Sequence, residues 1–275
     1  MAIARLAFAC VALWRKVLGK GFKTQVERRG IRWNLDLSEG IDLAIYLMGC
    51  FEPGTVRAYS GIVKRGDTVL DIGANIGAHS LPLSKLVGPQ GKVICFEPTG
   101  YAFDKLRTNV MLNPEFAARL DTHQVMLADD VQASPPPHGC FSSWPLRDVR
   151  GAHPYHGGKC KSISGCSVQR LDQFLAEAGV QHVDFVKLDV DGAELSVLRG
   201  GLQMLGDNKP TILLELAPYV YADNDSAFDD LLSLLWSHDY HLESTRNGRP
   251  LPMHSGTVRK LIPWGCSWNV IAFGR

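Results

Sequence analysis

Residues 68–77, Thr-Val-Leu-Asp-Ile-Gly-Ala-Asn-Ile-Gly, constrain this chain more than any other stretch. A strand-type apolar run (Thr68, Val69, Leu70) ends at Asp71, a glycine-punctuated turn follows, and residues 78–86 continue with helix-like composition. A strand–turn–helix of this kind belongs to doubly wound α/β folds, where backbone N–H groups and a helix N-terminus face a ligand. Gly73 and Gly77 permit close approach of backbone, since a Cβ at either place would crowd whatever sits above the turn. The spacing is not the G-x-G-x-x-G of nicotinamide enzymes, because Gly73 is followed by Ala74-Asn75-Ile76-Gly77.

Asp71 puts a negative charge where a pyrophosphate would be repelled. That favours a cationic, phosphate-free nucleoside cofactor, and S-adenosylmethionine fits. A second apolar run, residues 92–96, ends in Glu97, at the strand tip where doubly wound folds hold ribose hydroxyls. The expected cofactor contacts are therefore Asp71, Gly73, Asn75, Gly77 and Glu97, with Asp129, after a third strand at 122–128, at the adenine edge.

Beyond residue 55 strands and helices alternate, which implies a mainly parallel sheet covered on both faces. Further strands are expected at 183–190, 211–216, 241–244 and 268–273, with helices at 55–63, 102–113, 193–198 and 227–237. Residues 24–28 and 31–37 flank Arg29-Gly30 as an antiparallel lead-in. The chain thus divides into a 1–55 lead-in and a 56–275 domain. An irregular insert at about 132–166 contains Pro135-Pro136-Pro137, Trp144 and Tyr155, and a loop of that length in a compact domain is functional or disordered. Through Trp144 and Tyr155 it could lie over an acceptor. His138, His153 and His156 with Cys140, Cys160 and Cys166 match no common zinc spacing.

A formal charge of +1 argues against nucleic acid as a partner. Seven cysteines without a C-x-x-C point to a reducing cytoplasm rather than a disulfide framework. Near the N-terminus Ile3, Leu6, Cys10, Leu13 and Val17 fall at helical spacing. The apolar stretch is too short to span a bilayer. Packing of this stripe on its own domain is the economical expectation, although Arg15, Lys16, Lys20 and Lys23 would also suit a helix lying on a membrane surface.

Three segments in register carry a resemblance: Asp71–Gly77, Phe96-Glu97-Pro98, and Lys187-Leu188-Asp189-Val190-Asp191-Gly192-Ala193-Glu194. With Trp33-Asn34-Leu35-Asp36-Leu37, Gly49-Cys50-Phe51-Glu52-Pro53 and Leu214-Glu215-Leu216, they make the chain similar to the FkbM family of S-adenosylmethionine-dependent methyltransferases. The resemblance implies a Rossmann-like class I methyltransferase fold, with a mainly parallel seven-stranded sheet, helices on both faces and an antiparallel last strand. It implies O-methylation of a hydroxyl on a sugar, polyketide or other secondary metabolite. Asp191 stands where the family usually has Glu, and the insert is longer than usual. The competing functions are a nicotinamide-dependent oxidoreductase and a non-catalytic scaffold with the cofactor fold.

An alcohol acceptor would benefit from a general base or a metal. Asp189, ending the 183–190 strand, is the expected catalytic group, as base or ligand to a divalent cation, and Glu215 is its partner. The competing role for Asp189 is to cap the next helix, with Glu194 in its first turn.

Overall fold

The computed structural model describes residues 2–132, 139–153, 157–221 and 225–275. The chain opens with α1 (Ala2–Val17), β1 (Lys23–Arg28), β2 (Ile31–Asp36), α2 (Gly40–Met48) and α3 (Pro53–Ser60). Then come β3 (Thr68–Ile72), α4 (Ser80–Val87), β4 (Lys92–Phe96), α5 (Gly100–Met111), α6 (Pro114–Ala117), β5 (Leu120–His123) and β6 (Val125–Leu127). The insert holds β7 (Cys140–Ser143) and β8 (Lys159–Lys161), and β9 (Ser167–Gln169), α7 (Leu171–Glu177) and β10 (Phe185–Leu188) follow. The last third comprises α8 (Glu194–Arg199), α9 (Leu202–Asp207), β11 (Thr211–Leu216), α10 (Asp225–Ser237), β12 (Tyr240–Ser244), α11 (Ser255–Leu261) and β13 (Trp268–Gly274).

Seven strands form one sheet in the order β12-β13-β11-β10-β3-β4-β5. β11, β10, β3, β4 and β5 are parallel, and β13 runs antiparallel to both neighbours. This is the expected Rossmann-like class I methyltransferase sheet, with the last strand reversed. Every residue of β10 is buried, as a strand covered on both faces requires. Leu70, Ile72, Val186 and Leu188 pack against residues of α7 to α11 on one face. Val69, Val93 and Phe185 pack against Tyr59, Leu83 and Leu106, from α3, α4 and α5, on the other.

The expected strand at 122–128 is two. It breaks at Gln124, whose carbonyl accepts from Ser167 N. β5 ends the main sheet, while β6 leaves it to pair with β9. The lead-in holds a helix, α2, after its hairpin, and the insert folds into the β7–β8 hairpin.

Helix α1 docks by a face other than the one its spacing suggested. Phe8 is buried, packs at a tilt against Phe22 with ring centroids 5.4 Å apart, and shares a cluster with Ala4, Val11 and Ala12. Ile3, Leu6, Leu13 and Val17 point outward, at 85, 70, 66 and 77 % exposure. The helix is apolar on two sides, and the inner side is the one where small residues let it approach closely around Phe8. No helix among the described residues is long and apolar enough to cross a membrane.

Candidate active site

The carboxyl ends of the parallel strands, where ligands bind in open α/β sheets, open onto a cavity of about 430 Å³. That volume suits a small-molecule cofactor and part of an acceptor. It runs from Glu97 past β4 to Glu215 in β11. Those strands are three positions apart, about 14 Å at the usual strand spacing.

The turn after β3 keeps its own N–H groups. Gly73 N and Ala74 N both donate to the carbonyl of Phe96, and Gly77 N donates to Ala74 O. Asn75 N donates to Glu97 Oε2 at 3.0 Å, and Ile76 N to Asn75 Oδ1 at 2.9 Å. Helix α4 begins only at Ser80. The expectation that this turn aims its N–H groups at a ligand is therefore corrected for residues 73–77, which spend them on Phe96, on Glu97 and on the turn itself.

Glu97 lines the cavity with its carboxylate fixed. Thr99 N donates to Oε1 at 2.9 Å and Thr99 Oγ1 at 2.6 Å, opposite the Asn75 bond to Oε2. Burial pushes this carboxyl up despite those donors. Gly73 and Asn75 also line the cavity, Asn75 with a φ of 48°.

Asp71, Gly77 and Asp129 are not among its lining residues. Asp71 is fully buried and lies directly across the ladder from Lys187. Lys187 Nζ sits 3.7 Å from Asp71 and 3.2 Å from Asp189, and donates to Gly73 O at 3.2 Å. Ser80 Oγ donates to Asp71 at 2.5 Å. Burial works against the charge on Lys187, but Asp189 and Asp71 outweigh it and hold the ammonium above its usual range. Gly77 makes room for α5, since a Cβ there would meet Leu106 at 2.9 Å. Asp129 takes a 2.5 Å bond from Ser196 Oγ, which ties the loop after β6 to α8 and lowers its pKa.

The far end of the cavity is acidic. Asp189, Asp191 and Glu215 each offer an oxygen within 4.8 Å of the others, so they could hold a divalent cation, which takes oxygen ligands. Among the described residues this is the one such cluster, and it contains neither His nor Cys. His138 and His156 of the histidine–cysteine set lie outside the described residues, while His153 packs on the rings of Phe141 and Tyr219. Asp189 does not cap α8. The N-cap of that helix is Ala193, with no side-chain cap bond, and Glu194 in the first turn instead secures the preceding loop, accepting from Val190 N, Gly192 N and the Tyr221 hydroxyl. Burial, then the charge of Asp189, pushes Glu215 well above the usual carboxylate range; Ser267 Oγ donates to it.

Sequence reasoning passed over Glu52 and His79, which line the same cavity. Glu52 holds a left-handed φ of 43°, unusual outside glycine. Its Oε2 accepts from Thr55 at 3.0 Å and Asn269 at 3.2 Å. His79 is buried, with Nε2 3.8 Å from that oxygen and Nδ1 3.4 Å from Tyr59 Oη. The readable signal was Glu-Pro-Gly at 52–54, where Pro53 starts α3.

The first half of the insert roofs the cavity through Cys140, Phe141, Trp144 and Leu146. Ser142 Oγ bonds Thr99 Oγ1 at 2.9 Å and its carbonyl accepts from Asn75 Nδ2 at 3.3 Å. Ser143 Oγ and Trp144 N donate to Glu39, the latter at 2.9 Å. Trp144 thus lines the cavity, and Tyr155 is outside the described residues.

The family model described as "Methyltransferase FkbM domain" matches residues 71–242. The 2-O-methyltransferase NoeI of Sinorhizobium fredii is 28 % identical over 152 residues, which are 52 % of this chain and 60 % of that protein. The hexuronic acid methyltransferase AglP of Haloferax volcanii is 26 % identical over 149 residues, 54 % of this chain and 56 % of that one. The chain thus spans less than two thirds of the length of either relative. A solved methyltransferase FkbM from Methylobacillus flagellatus superposes with a TM-score of 0.45 at 16 % identity, covering 79 % of this chain and 50 % of the other. With well over half of its length matched, and the matched segment carrying the turn, Glu97 and the Lys187–Glu194 loop that build the cavity, the chain belongs to the FkbM family of S-adenosylmethionine-dependent methyltransferases.

Proposed function

We propose that the protein methylates a hydroxyl oxygen on a sugar, polyketide or other small metabolite. The observation that carries this reading is the layout of the cavity, with a fixed carboxylate at the β4 end and a carboxylate cluster at the β11 end. The residues fit S-adenosylmethionine. Glu97 would accept from ribose hydroxyls, Gly73 and Asn75 would border the ligand, and the acids beyond suit its positive charges. The N–H groups of residues 73–77 are already bonded within the protein, so that stretch gives the pyrophosphate of a nicotinamide dinucleotide no donors and does not favour the oxidoreductase reading.

The bound cofactor supplies an electrophilic methyl on a sulfonium; the protein's part is to hold and deprotonate the nucleophile. Alignment of this kind contributes about 7–11 kcal/mol to methyl transfer. Asp189, anchored by Lys187, would orient the acceptor hydroxyl. Glu215, whose carboxyl binds a proton more readily than a solvated one, would take the hydroxyl proton at a carboxylate oxygen. Trp144 and Phe141 would exclude water from above. The names of NoeI and AglP, a 2-O-methyltransferase and a hexuronic acid methyltransferase, support a hydroxyl on a carbohydrate. The seven unpaired cysteines suit a reducing compartment such as the cytoplasm.

Calorimetric titration with S-adenosylhomocysteine and with NAD is the first test, followed by transfer of labelled methyl to a panel of sugars. Binding of the first nucleoside alone, with label on oxygen, is the expected result. NAD binding, or label on nitrogen or carbon, would overturn the proposal.

A further inference from the structure

The outward face of α1 is exposed, with no packing partner among the described residues. At 100° per residue Ile3, Leu6, Cys10, Leu13, Trp14 and Val17 form one stripe about 100° wide, opposite the Phe8 face that packs on the protein. Trp14 is 52 % exposed, and Leu18 extends the stripe past the helix end. Charge is distributed with equal bias. The first 26 residues hold Arg5, Arg15, Lys16, Lys20 and Lys23 and no acid, whereas the rest of the chain holds 24 basic and 28 acidic residues. Arg15 is turned inward, donating to Gly21 O at 2.6 Å. Arg5, Lys16, Lys20 and Lys23 remain exposed beside the stripe or just beyond it.

We propose that α1 docks the protein on an anionic membrane surface, with Leu6, Leu13, Trp14 and Val17 at the headgroup–acyl boundary and the four exposed cations among the lipid phosphates. A helix lying in the interface needs an apolar face, basic flanks and an aromatic at the boundary, and α1 has all three. At 16 residues it is too short to cross. A second copy of the chain is the poorer occupant, because two such faces would bring like charges together with no carboxylate in the segment to pair them. Ala4, on the inner side of α1, lines the catalytic cavity, so docking would place the cavity rim near the lipid. The proposal does not depend on what the enzyme methylates.

The test is cosedimentation of the full chain with vesicles of phosphatidylcholine alone, or with about one third phosphatidylglycerol. Partition onto the anionic vesicles should be at least about tenfold stronger and should fall with salt. Leu6→Asp with Leu13→Asp should reduce it about tenfold or more while circular dichroism and Tm stay unchanged, since both side chains are exposed. Arg5→Glu with Lys16→Glu should abolish the preference for anionic lipid. No binding by the wild type, or equal binding by the Asp variant, overturns the proposal. So does a wild-type dimer in solution that the Asp variant converts to monomer, because the stripe would then be a protein interface.

Discussion

A Cβ on Gly73 would stand 1.9 Å from the carbonyl oxygen of Asp189. The loop after β10 lies directly on the turn after β3, so the residue assigned to the acceptor is located by the residue assigned to the cofactor. Gly73 also holds a φ of 81°, where a side chain is strained. Gly73→Ala must part the two loops. Unfolding in urea should show a loss of about 3 kcal/mol, the upper range for overpacking, and affinity for S-adenosylhomocysteine should fall with it.

Asp71 is assigned to structure rather than to the ligand. Asp71→Asn leaves Lys187 buried with Asp189 as its remaining carboxylate, and should cost about 1.5–3 kcal/mol in denaturant unfolding. Replacing both members, Asp71→Leu with Lys187→Met, should recover much of that loss. A double variant as unstable as the sum of the single ones would mean that the pair does not act as a unit.

Glu97→Ala should weaken S-adenosylhomocysteine binding by about 1.5–3 kcal/mol, the scale of hydrogen bonds to a charged group. Calorimetry on a variant of normal circular dichroism measures this. Unchanged affinity would remove Glu97 from the ribose.

Asp189→Asn keeps shape and removes charge. Turnover should fall about 10²-fold or more, the scale of a misoriented nucleophile, while affinity for S-adenosylhomocysteine, which lacks the sulfonium charge, stays within about twofold. A chelator added to the wild type distinguishes the two roles open to the acid cluster: activity that persists excludes a weakly held divalent ion at Asp189, Asp191 and Glu215.

His79 sets a pH dependence. Burial, reinforced by the charge of Lys187, holds its imidazole well below the ordinary 6.5, so the folded chain keeps it neutral while the unfolded chain protonates near that value. Its folded pKa is depressed, so this contribution is complete above about pH 6.5 and is lost as pH falls. Relative to His79→Gln, the wild type should lose about 1.4 kcal/mol between about pH 7.5 and 5.5 in urea titrations. Parallel curves would mean that the imidazole is protonated in the fold.

The parallel core was legible because its strands are short apolar runs that reach Asp71, Glu97 and Asp189 at or near their carboxyl ends, the side of the sheet where ligands bind. What escaped was decided by tertiary contacts. Gly40–Met48 is almost wholly apolar and lacks a side-chain N-cap bond, so nothing local marked it as a helix. Both sides of α1 read as apolar, and only the fit of Phe8 against Phe22 selects one. Asp71 looked like a ligand contact because a strand-end acid beside a glycine turn has two uses. Only the register, which sets Lys187 opposite it, tells them apart.

The bonds from Ser142 and Ser143 to Asn75, Thr99 and Glu39 carry a consequence for how such an enzyme can diverge. A roof sewn to the cofactor wall is not a cassette that recombination can exchange, because a foreign loop would leave Thr99 and Glu39 without their mates. New acceptor preferences in this lineage must come instead from single replacements along the roof, at Phe141, Trp144 or Leu146, with the seam left intact.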